Sequence, residues 1–353
     1  MAEVQGVGEG MRSIAVTAIA IVILVVMASF CVPTGRTVPF GWSSTYTGEE
    51  MVLNFTIGQT PHSKDITVLL QNTDRLWDGR AGILLDDAPW ISEELDNGSA
   101  PSQVQGLYDH LVSELDKWSS VTEVSIVHLD DLDRFLASGA STLVIANDLR
   151  GDASISSKVK AWVENGGLLV AVGNHSIPFS YQSADEMHEL GGSGPVLSYH
   201  HVEYNGGTGV TSSPFAEAYS LQYFAPYAAI SIDDVERNNG TVIGYEYGGA
   251  LATIASIPYG EGGILAFGGS MGPAFQVNGP DVVAADLVRL LMGGAAFSTS
   301  EPIFQNIVMG QDGGKGTLSV RIPARGDIQA VAFSNDRHNT LLWGYVLLDL
   351  LAN

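Results

Sequence analysis

Cysteine is almost absent: Cys31 is the only one in 353 residues, so no intrachain disulfide can form in any compartment. Positive charge is scarce as well. Lys and Arg total 16 against 39 Asp and Glu, a formal net charge of −23. Such a surface repels phosphate backbones and anionic headgroups, which excludes nucleic acid as a partner. It suits a face kept hydrated in a salty or extracellular medium. Phosphate-cradling loops are missing too. The pairs Gly206-Gly207, Gly248-Gly249 and Gly313-Gly314 read as turn formers, and none opens an expected helix.

What the chain does have is a well-marked strand–helix–strand segment from Ser141 to Phe179. Thr142–Ala146 is a short apolar run rich in β-branched residues, ending in a polar turn. Ser154 then predicts a helix cap, and Ile155, Val159, Trp162 and Val163 fall on one stripe, with Lys158, Lys160 and Glu164 opposite. Gly166-Gly167 stops the helix, and Leu168–Val172 resumes as a near-continuous apolar strand, the pattern of a parallel strand covered on both faces.

One long hydrophobic run stands out. Ile14 to Pro33 holds about twenty residues without a charge, enough to cross a hydrocarbon core of roughly 30 Å. With a short tail at 1–13, a large acidic part after it and four N-x-S/T sequons (Asn54, Asn97, Asn174, Asn239), it reads as an N-inside, C-outside single-pass anchor in the cell membrane. A cleaved signal peptide is the alternative, but the run is long for an h-region and lacks a clean A-x-A.

Residues 34–79 read as a linker and a small β element, with Met51–Ile57 and Asp65–Gln71 expected to pair. From 80 to 297, strands at Ala81–Asp87, Glu123–Leu129, Thr241–Tyr247, Leu251–Ile257 and Gly263–Phe267 join those of the opening segment. They alternate with amphipathic helices at Gln103–Trp118, Asp131–Ser138 and Asp281–Met292. The expected class is α/β, a doubly wound, mostly parallel sheet with small β additions at both ends. Between Ser180 and Gly240 the pattern loosens, with short helices expected at Asp185–Leu190 and Pro214–Phe224. Residues 298–353 read as a C-terminal β-rich extension.

The motifs WVENGGLLVAVGN (162–174) and IPYGEGGILAFGGS (257–270), each a glycine pair leading into an apolar strand, carry a resemblance. With the order of elements from about Arg80 to Phe297, they resemble the class I glutamine amidotransferase-like domain, a flavodoxin-like fold. In the enzymes of that family the strand equivalent to Leu168–Gly173 leads into an elbow bearing a nucleophilic cysteine. Here the turn is Gly173-Asn174-His175-Ser176, which supplies no thiolate and does not satisfy G-x-S-x-G. The family's later His-x-Glu dyad has an echo in His201-Val202-Glu203, which comes too early in the chain. The resemblance therefore implies a degenerate domain without catalysis, a pseudoenzyme. Non-catalytic extracytoplasmic members serve membrane transport systems and oligosaccharide transfer, so it implies an accessory binding or assembly module with a protein partner.

Candidate ligand-binding residues follow from position. Asp86 and Asp87 end the first core strand and Asp148 follows the third, where open α/β sheets hold their ligands. Asn174 and His175 join them at the elbow. Adjacent carboxylates suit a hard cation, which keeps a metal-assisted hydrolase open as the alternative function; the plainer reading is that Asp87 caps its turn and Asp86 meets loop amides. Glu186, His188, His200, His201 and Glu203 form the densest His/carboxylate cluster, but without the spacing of a helical zinc site. Neither a metal nor a cofactor is expected. Tyr219, Tyr223, Phe224 and Tyr227 at helix-like spacing read as core before they read as a sugar platform.

Overall fold

A computed structural model of the chain describes residues 40–47, 50–57, 64–73, 77–86, 100–116, 123–146, 153–173, 180–183, 186–189, 194–202, 213–219, 221–223, 227–246, 248–269, 279–298, 302–309, 314–321, 328–335 and 344–349. The apolar run 14–33 lies outside the described residues. Among those that are described, no helix is long and apolar enough to cross a membrane. The chain divides into two compact units, one formed by residues 1–64 and 309–325, the other by 65–308 and 326–353.

The first unit is a three-stranded antiparallel sheet. Strand β1 (Phe40–Thr47) pairs with β2 (Glu50–Ile57), and β2 pairs in turn with β16 (Gly314–Arg321). Met51–Ile57 therefore does not pair with Asp65–Gln71, as its alternation had suggested. That segment belongs to β3 (Lys64–Thr73), which sits in the second unit between β15 (Ile303–Met309) and β17 (Ile328–Asn335), with β18 (Gly344–Asp349) beyond. The expected C-terminal extension is thus shared between two sheets. Alternation tells which face of a strand is apolar but not which strand it meets.

The second unit is built on a mixed α/β sheet. Its strands are β4 (Arg80–Leu85), β5 (Glu123–His128), β6 (Thr142–Ile145), β7 (Leu168–Val172), β10 (Tyr199–Val202), β11 (Tyr227–Ser231), β12 (Thr241–Tyr245), β13 (Leu251–Tyr259) and β14 (Gly262–Phe267). The order is β10-β11-β13-β14-β7-β6-β4-β5, with β12 also on β13. From β5 to β14 all pairings are parallel; from β14 to β10 they are antiparallel. The expected parallel sheet is therefore one half of the observed one. The other half is antiparallel because a two-residue turn, Gly260-Glu261, joins β13 to β14 and leaves no room for a crossover helix.

Helices α1 (Ala100–Asp116), α2 (Leu132–Leu136) and α3 (Ala153–Glu164) follow β4, β5 and β6. The path steps outward from β4 to β5, then back across β4 to β6 and on to β7. Right-handed crossovers in opposite directions put α1 on one face and α2 and α3 on the other. Helix α6 (Pro280–Met292) packs against α1, and α2 packs against α3. Strands covered on both faces bury every residue: β6 and β7 are buried throughout, as their unbroken apolar runs require. Shorter helices α4 (Pro214–Tyr219) and α5 (Ile232–Arg237) lie among the antiparallel strands and β17.

Four local expectations change. Helix α3 starts at Ala153, so Ser154 lies in its first turn and is not its cap. Lys160, assigned to the solvent face, is buried, its flexible stem laid against Gly194. Trp162, assigned to the core stripe with Ile155, Val159 and Val163, is half-buried and lies flat against Gly167, where a Cβ would strike its ring. Residues 186–189, expected as part of a helix, form strand β9 (Glu186–Glu189), paired with β8 (Ser180–Ser183).

Candidate functional site

In the parallel half, Ile83, Val144, Val170 and Leu265 form one row across β4, β6, β7 and β14. Three residues further on, the same register puts Asp86 and Gly173 in one row at the C-terminal edge. They are two strands apart, about 10 Å at the usual spacing. Between β4 and β6 the crossover direction reverses. That is the point at which open α/β sheets leave a crevice for a ligand.

Asp86 directly follows β4 and is 8% exposed, so a carboxylate stands nearly buried at the mouth of that crevice. Gly173 ends β7 with φ 101°, a left-handed turn that a side chain would strain, and its N–H donates to the Phe267 carbonyl at 3.0 Å. Asp87, Asp148, Asn174 and His175 lie outside the described residues, one or two positions past the described ends of β4, β6 and β7. His128 was not among the residues singled out from sequence. It ends β5 opposite Leu85, one residue short of Asp86, and is exposed. Its signal was its place as the terminal polar residue of the run EVSIVH.

The end of β14 is organised differently. Its N–H at Gly268 donates to the Thr253 carbonyl at 2.7 Å, and Gly269 turns left-handed at φ 69°. The Tyr223 hydroxyl donates to the carbonyls of Gly268 and, at 3.0 Å, Gly269. Its ring meets Phe267 edge-on with centroids 5.0 Å apart. Tyr223 and Tyr219 are both fully buried, so neither offers a sugar platform. Burial pushes the Tyr223 hydroxyl well above its usual pKa, and the nearby Tyr199 and Asp286 push the same way.

Asp286, also passed over in the sequence, holds this arrangement. It is fully buried on the inward stripe of α6, three residues after Val283 and four before Leu290. One carboxylate oxygen accepts the backbone N–H groups of Gln222 and Tyr223, each at 2.7 Å. The other faces the Arg289 guanidinium at 3.2 Å. Burial raises its pKa to about 6, against the lowering effect of Arg289 and the two N–H groups.

A serine motif also went unremarked: Gly268-Gly269-Ser270-Met271-Gly272 matches G-x-S-x-G at the end of a strand. The hydrolase elbow passes straight from strand to helix, whereas the next described helix here begins at Pro280. Ser270 itself lies outside the described residues. Among the described residues no three His, Cys, Asp or Glu side chains are grouped to hold a metal ion. His188 is on β9 in a separate two-stranded sheet, while His200 and His201 are neighbours on β10.

No family model and no curated protein sequence matches the chain. Among solved structures, an exo-β-1,4-mannosidase from Opitutaceae bacterium strain TAV5 is similar at 10% identity and TM-score 0.37, over 62% of this chain and 34% of that one. A β-galactosidase from Bacillus circulans sp. alkalophilus is similar at 10% identity and TM-score 0.34, over 69% and 42%. A cytoplasmic protein from Salmonella typhimurium LT2 is similar at 8% identity and TM-score 0.34, over 62% of this chain and 100% of that one. The chain thus spans less than half the length of these two glycosidases. Likeness of this degree carries no information on activity.

Proposed function

We propose that the protein is a non-catalytic binding or assembly module, held outside the cytoplasm by a single membrane pass through residues 14–33. Its α/β domain is a degenerate relative of the amidotransferase-like domain, acting as an accessory subunit of a membrane or cell-surface complex with a glycan- or transport-related role. The observation that carries this reading is the chemistry of the sheet's C-terminal edge. At the end of β7, where the family's enzymes present a cysteine, Gly173 is followed by Asn174 and His175, and the single thiol of the chain is Cys31 in the apolar run. The register brings Asp86 and Gly173 into one row, and the residues that follow the strand ends in sequence, Asp87, Asp148, Asn174 and His175, offer hydrogen bonds and charge but no thiolate. The exposed sequon residue Asn239 agrees with an extracytoplasmic setting.

Two experiments test the reading. Protease added outside intact cells should digest the chain beyond about Pro39, and protection of that part would overturn the topology. A pull-down of the intact protein from detergent-solubilised membranes should recover a defined partner, and recovery of the chain alone would remove the assembly role. The buried carboxylate of Asp86 favours one second reading, the metal-assisted hydrolase. A stoichiometric metal retained by the purified chain and lost in Asp86→Asn would decide for it.

A further inference from the structure

Helices α3 and α5 end in the same turn. After α3, the Gly167 N–H donates back to the Trp162 carbonyl at 3.0 Å and the Gly166 N–H to the Val163 carbonyl at 2.9 Å, with Gly166 left-handed at φ 103°. After α5, the Gly240 N–H donates to the Val235 carbonyl at 2.8 Å and the Asn239 N–H to the Glu236 carbonyl at 2.9 Å. Here Asn239 holds the left-handed position, at φ 55°. Glycine is the favoured residue in this close of a helix, because it has no Cβ to strain; asparagine is tolerated. Every other left-handed residue among those described is a glycine.

Packing explains the residues on either side of Asn239 but not Asn239 itself. A Cβ on Gly240 would meet the Ser256 carbonyl oxygen and the side chains of Val235 and Ile257, each at 2.9 Å. The side-chain amide of Asn238 donates to the Asp234 carbonyl at 2.8 Å. Asn239 is exposed, and among the described residues its side chain forms no hydrogen bond. With Gly240 and with Thr241 at the start of β12, it makes an Asn-Gly-Thr acceptor triplet in a surface turn. The other described sequon residue, Asn54, is placed differently. It lies within β2, paired to β1 on one side and β16 on the other, and its Oδ1 accepts the Thr317 hydroxyl at 2.9 Å. A glycosyl-transferring enzyme must take up the triplet as one free stretch, which a turn presents and a central strand withholds.

We propose that Asn239 is a modification site: its side-chain amide carries an N-linked glycan in the turn between α5 and β12. The co-substrate is an oligosaccharide activated at its anomeric carbon by a phosphate ester. Nδ2 of Asn239 forms a bond to that carbon, and the bond from the carbon to the phosphate oxygen breaks. The phosphate leaves with the electron pair, and the amide nitrogen gives up one proton to the enzyme's base. Nothing is oxidised or reduced. An amide nitrogen is a poor nucleophile, its lone pair being shared with the carbonyl, so the step needs an enzyme that recognises the hydroxyl of Thr241. Among the described residues β12 pairs only with β13, so a glycan at its first turn would stand beside an open strand edge and keep it hydrated. The inference rests on the extracytoplasmic placement proposed above.

Mass spectrometry of the full chain, purified from the membranes of its own cells, tests it. The peptide spanning Asn239 should be heavier by a whole number of sugar residues, with fragmentation placing them on that side chain. The sugar is read on the intact glycopeptide, because an Asn-Gly pair also deamidates spontaneously and enzymatic deglycosylation would leave the same aspartate. In Asn239→Gly the added mass should vanish while the thermal midpoint holds or rises, since the turn then has its favoured residue. Thr241→Val should lose the sugar with Asn239 still in place, and Thr241→Ser should keep it. Sugar retained in Thr241→Val would overturn the proposal. An unmodified peptide from a chain that protease digests outside intact cells would sink the glycan and leave the topology standing. An unmodified peptide from a protected chain would remove both.

Discussion

The two edges of the parallel strands are built on different principles. At the N-terminal edge, backbone meets backbone. Gly262 opens β14 so close to α3 that a Cβ would collide with the carbonyl oxygens of Gly167 and Val163. Around it, Glu261 N–H donates to the Glu164 carbonyl at 2.9 Å and Gly263 N–H to the Gly167 carbonyl at 3.2 Å. Beside them Ser141 donates to Asp78, which also accepts from Arg80 at 2.7 Å; burial pushes the Asp78 carboxyl up, but these bonds hold it below the usual range. At the C-terminal edge side chains take part as well: the Tyr223 hydroxyl donates to the glycine carbonyls after β14, and Asp286 accepts the N–H groups of Gln222 and Tyr223. An edge closed by main chain tolerates no change of shape.

The sharpest way to break this contrast is at the tight edge. Gly262→Ala forces a methyl against two carbonyl oxygens and should cost about 3 kcal/mol or more in chemical denaturation. A loss below about 1 kcal/mol would mean that the approach of β14 to α3 is not needed.

Next in size is the pH response. Because the folded Asp286 carboxyl titrates near 6 and the unfolded one near 3.8, its stabilising protonation is complete below the lower value and lost as pH rises through the higher one. The shift corresponds to about 3 kcal/mol. The difference in unfolding free energy between the natural chain and Asp286→Asn should change by an amount of that order between pH 4 and 7. A constant difference would show that the carboxyl is not held away from water. Smaller again is Trp162→Ala: the ring covers Gly167 but is only half-buried, so truncation should cost about 2 kcal/mol, below the figure for a full core aromatic. The smallest effect belongs to the open edge. Replacing Asn174 and His175 together by Ala should leave stability within about 0.5 kcal/mol while weakening capture of a partner. A large loss of stability with unchanged binding would make the elbow structural.

This contrast also explains what the two glycine-rich motifs are for. The pairs Gly166-Gly167 and Gly262-Gly263 lie against each other: the Trp162 ring fills the Cβ space of Gly167, the backbone of Gly166, Gly167 and Val163 fills that of Gly262, and Gly166 takes a left-handed φ of 103°. They record a packing constraint, so they could suggest a fold without naming a chemistry.

Local pattern by itself determined the strands β4, β6, β7 and β14, since unbroken apolar runs demand cover on both faces. It also determined α3 and α6, whose stripes and glycine stops are complete within a dozen residues. Only the tertiary structure decided which strands pair at the two ends of the chain: β2 with β16, and β3 with β17, across more than 250 residues. It likewise decided that Lys160 and Asp286 are buried. Lys160 sits beside the apolar stripe of its helix and Asp286 within that of its own. Whether such a residue meets water depends on what packs over it: Gly194 for Lys160, the segment 221–223 for Asp286. Periodicity is a property of one element, whereas burial and register are properties of two, and a single chain read in order carries only the first.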